Sequence, residues 1–234
     1  RADCENRIKE LKADFGLDAA PLLDGFCDDD AYATGTDVAL APYGDGAQAH
    51  MRVVRTGDAL WACFSSMEHG AAAPGAFAGL RIDVDNSRDV VAEPSDFGFF
   101  AGEDGDVFTA AGDGSGGFAA TGPGGLAAQV SSGANVWSAE LRIAANAIGG
   151  LDHLIGLRAE HAWMGFQGDD YVWPYASTFN QPNTWALAGL GEVPAITSID
   201  PVTATVNGAP FALSVEGSGF VSGTAVLWNG GALV

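Results

Sequence analysis

Basic residues are scarce in this sequence. The 234-residue chain has 10 Lys and Arg against 30 Asp and Glu, so its formal net charge is -20. Proteins that bind nucleic acid neutralise phosphates with Lys and Arg, and anionic membranes attract the same side chains. The sequence therefore predicts neither nucleic acid nor an anionic membrane as a partner.

Long apolar runs are also missing. No run approaches the roughly 20 apolar residues that span a bilayer, so no membrane insertion is expected. Arg1 begins a polar stretch, where a signal peptide would show an apolar centre. If the protein is secreted, we expect this to be the mature chain.

Cysteine is rare, and its spacing fits no zinc site. The three cysteines are Cys4, Cys27 and Cys63, and they form none of the paired Cys or Cys/His patterns that bind zinc. Cys4 and Cys27 flank a predicted helix and its return loop. We predict a Cys4–Cys27 disulfide that holds this helix to the first strand, with Cys63 buried in a strand. The alternative is three small buried thiols.

What the chain does contain is apolar residues and glycine, in a pattern that favours sheet over helix. Hydrophobic residues make up 47% and there are 33 glycines. One helix is predicted, over about 5–15, where Asp3 can cap the start and Gly16 can end it. After it, apolar and polar residues alternate in short runs separated by turn residues. These runs are Met51–Arg55, Leu60–Phe64, Gly79–Val84, Trp137–Ile143 and Leu157–Trp163.

This alternation predicts an all-β fold, an antiparallel, jelly-roll-like β-sandwich. We divide the chain into an N-terminal helical arm (1–21), a sandwich domain (22–192) and a partial immunoglobulin-like β unit (193–234). The last part is too short to bury both faces of a sandwich of its own.

The C-terminal part resembles the first half of an IPT/TIG domain, which is an immunoglobulin-like module. The matching pieces are Pro194–Pro201, Gly217–Phe220 and Val226–Gly230. The later strands of such a module are absent. An unfinished unit of this kind would need completion by residues beyond Val234 or by a strand from a neighbouring molecule.

Residues 22–192 resemble, more loosely, the DOMON-like superfamily that includes family-nine carbohydrate-binding modules. The resemblance implies a β-sandwich that is not catalytic, binds sugars or occasionally haem, and often carries structural calcium. It rests on the order and spacing of several pieces. These are Asp24-Gly25 with Asp29 and Tyr32, then Leu60–Phe64, Arg81–Asn86 and Trp137–Ile143.

An acidic cluster follows the strand predicted at 79–84. Asp83, Asp85, Asn86 and Asp89 place several oxygens close together, and calcium takes six to eight oxygen ligands at about 2.3–2.6 Å. We predict a structural calcium site there. The alternative is a solvated acidic turn, and the acidic loops at 103–113 and 28–30 are weaker candidates.

Sugar rings stack on flat aromatic side chains while amides fix their hydroxyls. The densest such stretch is 161–185, and its Trp163 and Trp185 could instead close the end of the sandwich. Trp61 and Trp137 belong to the core pattern. We predict sugar contacts from Trp163, Trp173, Tyr175, Asn180 and Gln181.

An enzyme is not predicted. No serine lies in a nucleophile elbow before a helix, and although Glu140 and Glu160 could flank a glycosidic bond, Glu140 belongs to a structural strand pattern. The predicted function is a non-catalytic, extracellular carbohydrate-binding-like module stabilised by calcium, with a polysaccharide or cell-surface glycan as partner. The alternative is a structural subunit of a surface layer or filament that binds copies of itself by strand complementation, which analytical ultracentrifugation would test.

Overall fold

A computed structural model of the chain describes residues 20–69, 75–163, 171–190, 195–201, 212–218, 227–228 and 231–232. The predicted helix at 5–15 lies outside the described residues. No helix in the described ranges is both long and apolar enough to cross a membrane.

The described residues form short strands and three 3-10 turns, at Asp30–Thr34, Ala145–Ile148 and Pro182–Thr184. The strands, in chain order, are β1 (Thr36–Ala39), β2 (His50–Arg55), β3 (Ala59–Glu68), β4 (Ala76–Asp83), β5 (Asp96–Gly102), β6 (Val107–Gly112), β7 (Phe118–Ala119), β8 (Leu126–Ser132), β9 (Val136–Ala144), β10 (Leu154–Trp163), β11 (Tyr171–Trp173), β12 (Ala186–Gly189), β13 (Ala195–Asp200), β14 (Ser214–Ser218), β15 (Leu227–Trp228) and β16 (Gly231–Ala232).

Two antiparallel sheets make up the sandwich. The first has the order β1-β2-β3-β9-β8, and the second has the order β11-β10-β4-β5-β6-β7, with β12 also pairing with β10. Alternate residues of each strand point into the core, as the period of two requires. Ala62 and Phe64 of β3 thus join Leu80 and Ile82 of β4 in one buried cluster. The prediction of an all-β antiparallel sandwich is confirmed.

Two of the connections between strands are short local turns. Residues 56–58 connect β2 and β3 as a hairpin loop, in which the Thr56 amide donates to the Ala59 carbonyl. A short 3-10 turn, Ala145–Ile148, follows β9. It ends at Gly149, whose φ of 74° lies in the left-handed region that glycine tolerates best.

The disulfide prediction is wrong about the partner. Cys27 is bonded to Cys63, with their Cα atoms 5.6 Å apart, and Cys4 lies outside the described residues. Cys63 is buried in β3, but it shares the outer face of the first sheet with Trp61 rather than the core face. The segment containing Cys27 crosses that outer face, so the disulfide joins this segment to the sheet and not to the predicted helix.

The same outer face holds a buried carboxylate. Glu140 in β9 is fully buried, and its Oε2 accepts hydrogen bonds from the amides of Asp24 and Gly25, both at 2.9 Å. The Tyr32 hydroxyl donates to Oε1, also at 2.9 Å. Burial raises the pKa of Glu140. A side chain at Gly25 would clash with the Val130 backbone, since an added Cβ would lie 2.6 Å from its carbonyl carbon. These contacts give Glu140 a structural role.

The C-terminal part contains two separate two-stranded sheets among its described residues. β13 pairs with β14, and β15 pairs with β16. Ile196 and Ile199 on β13 are exposed. Several motif residues of the IPT/TIG resemblance, including Gly219 and Phe220, lie outside the described residues, so that resemblance and strand complementation stay predictions.

Candidate functional site

The outer face of the second sheet carries charged side chains that loops cover. On β10, Ala159 packs in the core, so Arg158 and Glu160 point to the opposite face. On β4, Arg81 lies directly opposite Arg158 in the strand pairing. All three charged side chains are nevertheless buried, and Arg158 is 1% exposed.

Glu160 joins the two arginines. The Nε–H of Arg81 donates to Oε1 of Glu160 at 2.9 Å. Nη2 of Arg81 lies 2.9 Å from the same oxygen and forms an ion pair with it. Oε2 of Glu160 forms an ion pair with Arg158. The guanidinium of Arg81 also lies over three aromatic rings, with the nearest centroid, that of Phe118, 4.4 Å away. The other two rings belong to Phe100 and Phe179. We call Arg81, Arg158 and Glu160 the buried ion network.

A pocket of about 340 Å³ lies beside this network. Arg158 is the charged residue of its lining but is itself 1% exposed, while Tyr175 and Phe179 reach solvent and are 81% and 41% exposed. The full lining is Ala41, Arg158, Val172, Tyr175, Ala176, Ser177, Thr178 and Phe179. We call it the Arg158 pocket.

The loop that forms this pocket is held by internal hydrogen bonds. Trp185 is buried, and its indole N–H donates to the Thr178 carbonyl at 2.8 Å. The Thr178 amide donates to the Thr184 hydroxyl at 3.0 Å. The Asn180 side-chain amide donates to the Gly116 carbonyl at 2.8 Å, which links the loop to the 113–117 turn. The Ser177 amide donates to the Pro174 carbonyl at 3.0 Å, which closes the turn that carries Tyr175.

The five predicted sugar-contact residues lie in different parts of the structure. Tyr175 lines the pocket. Trp163 and Trp173 are partly buried and pack against the core on the inner face of the sheet. Asn180 is used to hold the loop, and Gln181 is exposed beside it. The structure thus brings one of the five predicted residues to the pocket.

Arg81, Arg158 and Phe179 are pocket or network residues that the sequence analysis did not select. A signal was available, because Arg158 and Glu160 carry opposite charges two residues apart and therefore share one face of β10. Their burial could not be read from that spacing. It depends on loops from distant parts of the chain.

His161 is the polar residue of β10 that points inward. It is fully buried, and its Nδ1 lies 2.8 Å from the Tyr43 hydroxyl. The ring packs edge-on to Trp137 and Tyr43 and stacks on Tyr171. Burial lowers the pKa of His161 to about 4, so the imidazole is neutral near pH 7. It belongs to the aromatic packing of the core.

The acidic strand end contains one carboxylate beyond the predicted set. Asp83 is fully buried, and its oxygens accept from the amides of Ser87 and Arg88 at 3.1 and 2.9 Å. Asp96 on β5 lies directly opposite Asp83. Its Oδ2 accepts from the Glu93 amide at 2.7 Å, while its Oδ1 has no hydrogen-bond partner among the described residues.

Burial is the main cause that raises the pKa of Asp96 to about 7, and the charges of Asp83, Asp85 and Asp89 add to it. Asn86 lies in the left-handed region, and its buried Oδ1 also lacks a partner within the described ranges. In the described part of the chain, no group of three or more His, Cys, Asp or Glu side chains is arranged to hold a metal ion.

Comparison with known proteins links the sandwich to one group of solved structures. No protein-family model and no curated protein matches the chain. The chain is similar to a family 9 carbohydrate-binding module from Caldicellulosiruptor kristjanssonii in complex with cellotriose. The identity is 12%, the match covers 81% of this chain and 96% of that chain, and the TM-score is 0.54.

The module from the same organism in complex with glucose gives 13% identity, covers 78% of this chain and 96% of that chain, and has a TM-score of 0.54. At such low sequence identity, the structural similarity shows a shared fold and nothing more. The β-sandwich of this chain is therefore similar in fold to carbohydrate-binding modules.

Proposed function

We propose that the sandwich is a non-catalytic, extracellular module that binds a saccharide in the Arg158 pocket. The observation that carries the proposal is the pocket itself, a concave site of about 340 Å³ with the exposed ring of Tyr175 at its edge. Small-molecule sites have volumes of roughly 300–1,000 Å³. Flat aromatic rings pack well against the apolar faces of sugars.

Two further features support this proposal. Glu140 and Glu160 lie on the outer faces of opposite sheets, so they cannot flank one glycosidic bond. The Cys27–Cys63 disulfide is typical of oxidising compartments outside the cytosol. The similar structures were solved with cellotriose and glucose, which makes glucose-containing oligosaccharides the first ligands to test.

We expect Tyr175→Ala to weaken saccharide binding about fivefold, because a stacked ring contributes on the order of 1 kcal/mol. Isothermal titration calorimetry with neutral and acidic oligosaccharides measures this change. Phe26→Ala is the matched control, since Phe26 is an exposed aromatic residue that does not line the pocket. The proposal is wrong if the wild-type protein binds no saccharide of the panel.

We also propose that the acidic strand end binds a structural calcium ion. Asp83, Asp85, Asn86, Asp89 and Asp96 would have to move closer together to coordinate it, because their side chains form no metal-binding group in the arrangement described above. Carboxylate and amide oxygens are the ligands that calcium prefers. Two buried oxygens without partners, on Asn86 and Asp96, support the proposal. A bound cation would also offset part of the -20 charge.

Calcium at 100 times its dissociation constant is expected to raise the melting temperature by roughly 5–10 °C over protein in EDTA. Asp85→Asn should remove most of this shift, because Asp85 is exposed and the substitution takes away a charged ligand at small structural cost. Asp45→Asn, at an exposed carboxylate that does not line the pocket beside Asp85, should keep it. Differential scanning calorimetry tests this, and equal melting temperatures with calcium and EDTA would refute the site.

A further inference from the structure

His69 joins the two sheets at one end of the sandwich. It follows directly after β3 of the first sheet, and its Nδ1 forms a hydrogen bond with Oε1 of Glu103, which follows β5 of the second sheet. The other ring nitrogen, Nε2, lies 3.0 Å from the carbonyl oxygen of Gly133, in the loop between β8 and β9. We call these two contacts the His69 clasp.

The carboxylate of Glu103 is held in place by the start of β4. The Glu103 amide donates to the Ala76 carbonyl at 2.8 Å, and the Ala76 amide donates to Oε2 of Glu103 at 3.3 Å. The side chains of His69 and Glu103 are 28% and 19% exposed, so solvent screens their interaction only in part. Among the described residues, Glu103 belongs to no group of side chains arranged to hold a metal ion.

The two acceptors on the ring determine its charge. A carbonyl oxygen only accepts hydrogen bonds, so Nε2 must carry a proton toward Gly133. The Glu103 carboxylate also accepts, so Nδ1 must carry a second proton, and only the imidazolium form has both. An imidazole holds a proton about two pH units more strongly than a carboxylic acid. The proton between the two side chains therefore resides on His69.

The pKa of His69 agrees with this geometry. The hydrogen bond with Glu103 is the main cause that raises this pKa above its ordinary value of 6.5, and the Gly133 contact adds to it, while partial burial opposes both. The imidazolium form of His69 is therefore more stable in the folded protein than in the unfolded chain.

Other titratable groups on the elements around His69 do not oppose its protonation. They are Glu68, Asp104, Asp106, Tyr43 and His161. Carboxylates are negative near neutral pH, so the three acidic side chains favour the imidazolium. Burial lowers the pKa of His161 to about 4 and raises the pKa of Tyr43. Those two side chains are thus neutral near pH 7.

Loss of one proton from His69 leaves one acceptor without a donor. A charged acceptor holds its hydrogen bond more strongly than a carbonyl does, so the remaining proton stays on Nδ1 with Glu103. The lone pair of Nε2 then faces the Gly133 carbonyl oxygen, and this contact is repulsive. We propose that the His69 clasp is a pH-sensitive connection. Protonated His69 holds the β8–β9 loop, residues 133–135, against Glu103, and deprotonation releases that loop.

The first test follows the histidine ring protons of the whole chain by NMR during a pH titration, with His69→Gln used to assign the His69 signal. We expect a His69 midpoint above 6.5 in the wild-type protein, and a lower midpoint in Glu103→Gln because the charged acceptor is removed. His50→Gln is the matched control. His50 pairs with Asp37 at the surface, where both side chains are more than 40% exposed, so this substitution should leave the His69 midpoint unchanged.

The second test measures stability and loop motion at about pH 6 and about pH 8.5. Because the folded-state pKa is raised, the stabilisation is complete below 6.5 and is lost as the pH rises through the folded-state pKa. The wild-type melting temperature should exceed that of His69→Gln by about 2–4 °C at the lower pH and by less than half of that at the higher pH. This difference cancels groups common to both proteins, such as Asp96 with its pKa of about 7.

The methyl group of Ala134 reports on the loop itself. Its NMR order parameter in the wild-type protein should fall at the higher pH, and in His69→Gln it should be low at both. A wild-type His69 midpoint at or below 6.5 would overturn the proposal, as would a melting difference that does not change with pH. Equal Ala134 order parameters at the two pH values would disprove release of the loop. None of these measurements uses a saccharide, so their outcome is independent of the proposed function.

Discussion

Replacing Glu160 with glutamine is expected to lower the free energy of unfolding by about 3–5 kcal/mol. The substitution keeps the size of the side chain but removes the carboxylate that pairs with Arg81 and Arg158. Two buried guanidinium groups would then face each other across β4 and β10 without that charge between them. Urea denaturation followed by tryptophan fluorescence measures the loss.

The control for this prediction is Asp152→Asn. Asp152 pairs with Arg55, but its side chain is 86% exposed, and exposed pairs contribute about 0–1 kcal/mol. A second comparison replaces Arg81, Arg158 and Glu160 together with apolar residues. If the loss arises from unbalanced buried charge, the triple variant should be less destabilised than Glu160→Gln. A Glu160→Gln variant as stable as Asp152→Asn would contradict the role of the buried ion network.

Removing the Cys27–Cys63 disulfide should also have a large effect. The two cysteines are separated by 36 residues, and closing a loop of that length reduces the entropy of the unfolded chain by an amount worth about 4 kcal/mol. We expect Cys27→Ala to lower the free energy of unfolding by roughly that amount. Cys27 is partly exposed, so the substitution leaves little cavity in the core.

Cys4→Ala is the matched control for the disulfide. Because Cys27 is bonded to Cys63, the Cys4 substitution should change stability by less than about 0.5 kcal/mol. Thiol labelling of unfolded, unreduced protein followed by peptide mapping should modify Cys4 and leave the other two cysteines unlabelled. Labelled Cys63 together with a Cys4–Cys27 peptide would show that our first prediction was correct and the pairing described here wrong.

The fold was predictable because its strands repeat one pattern. In β3 and β4, apolar residues of the core such as Phe64 and Leu80 occupy every second position. A sheet that packs one of its faces in the core requires that spacing. The spacing does not identify which two cysteines form the disulfide. Cys63 lies on the outer face, and its partner was decided by the path of a segment that crosses this face.

The candidate site was less predictable than the fold. Aromatic density selected 161–185, and this stretch does form one side of the pocket through Tyr175 and Phe179. It could not separate Trp163 and Trp173, which pack against the core. Asp96 was missed at the acidic strand end because it lies 13 positions beyond Asp83 in the chain, and antiparallel pairing of β4 with β5 places it directly opposite.

The sequence by itself determined the fold class and the acidic charge, since each depends on composition or on residues within a few positions of one another. Tertiary structure decided the disulfide partner, the burial of Arg81, Arg158 and Glu160, and the position of the pocket. The physical reason is that burial is a property of the whole chain. A charged residue on the outer face of a strand contacts either water or a covering loop, and the outcome depends on how segments far apart in the sequence pack together.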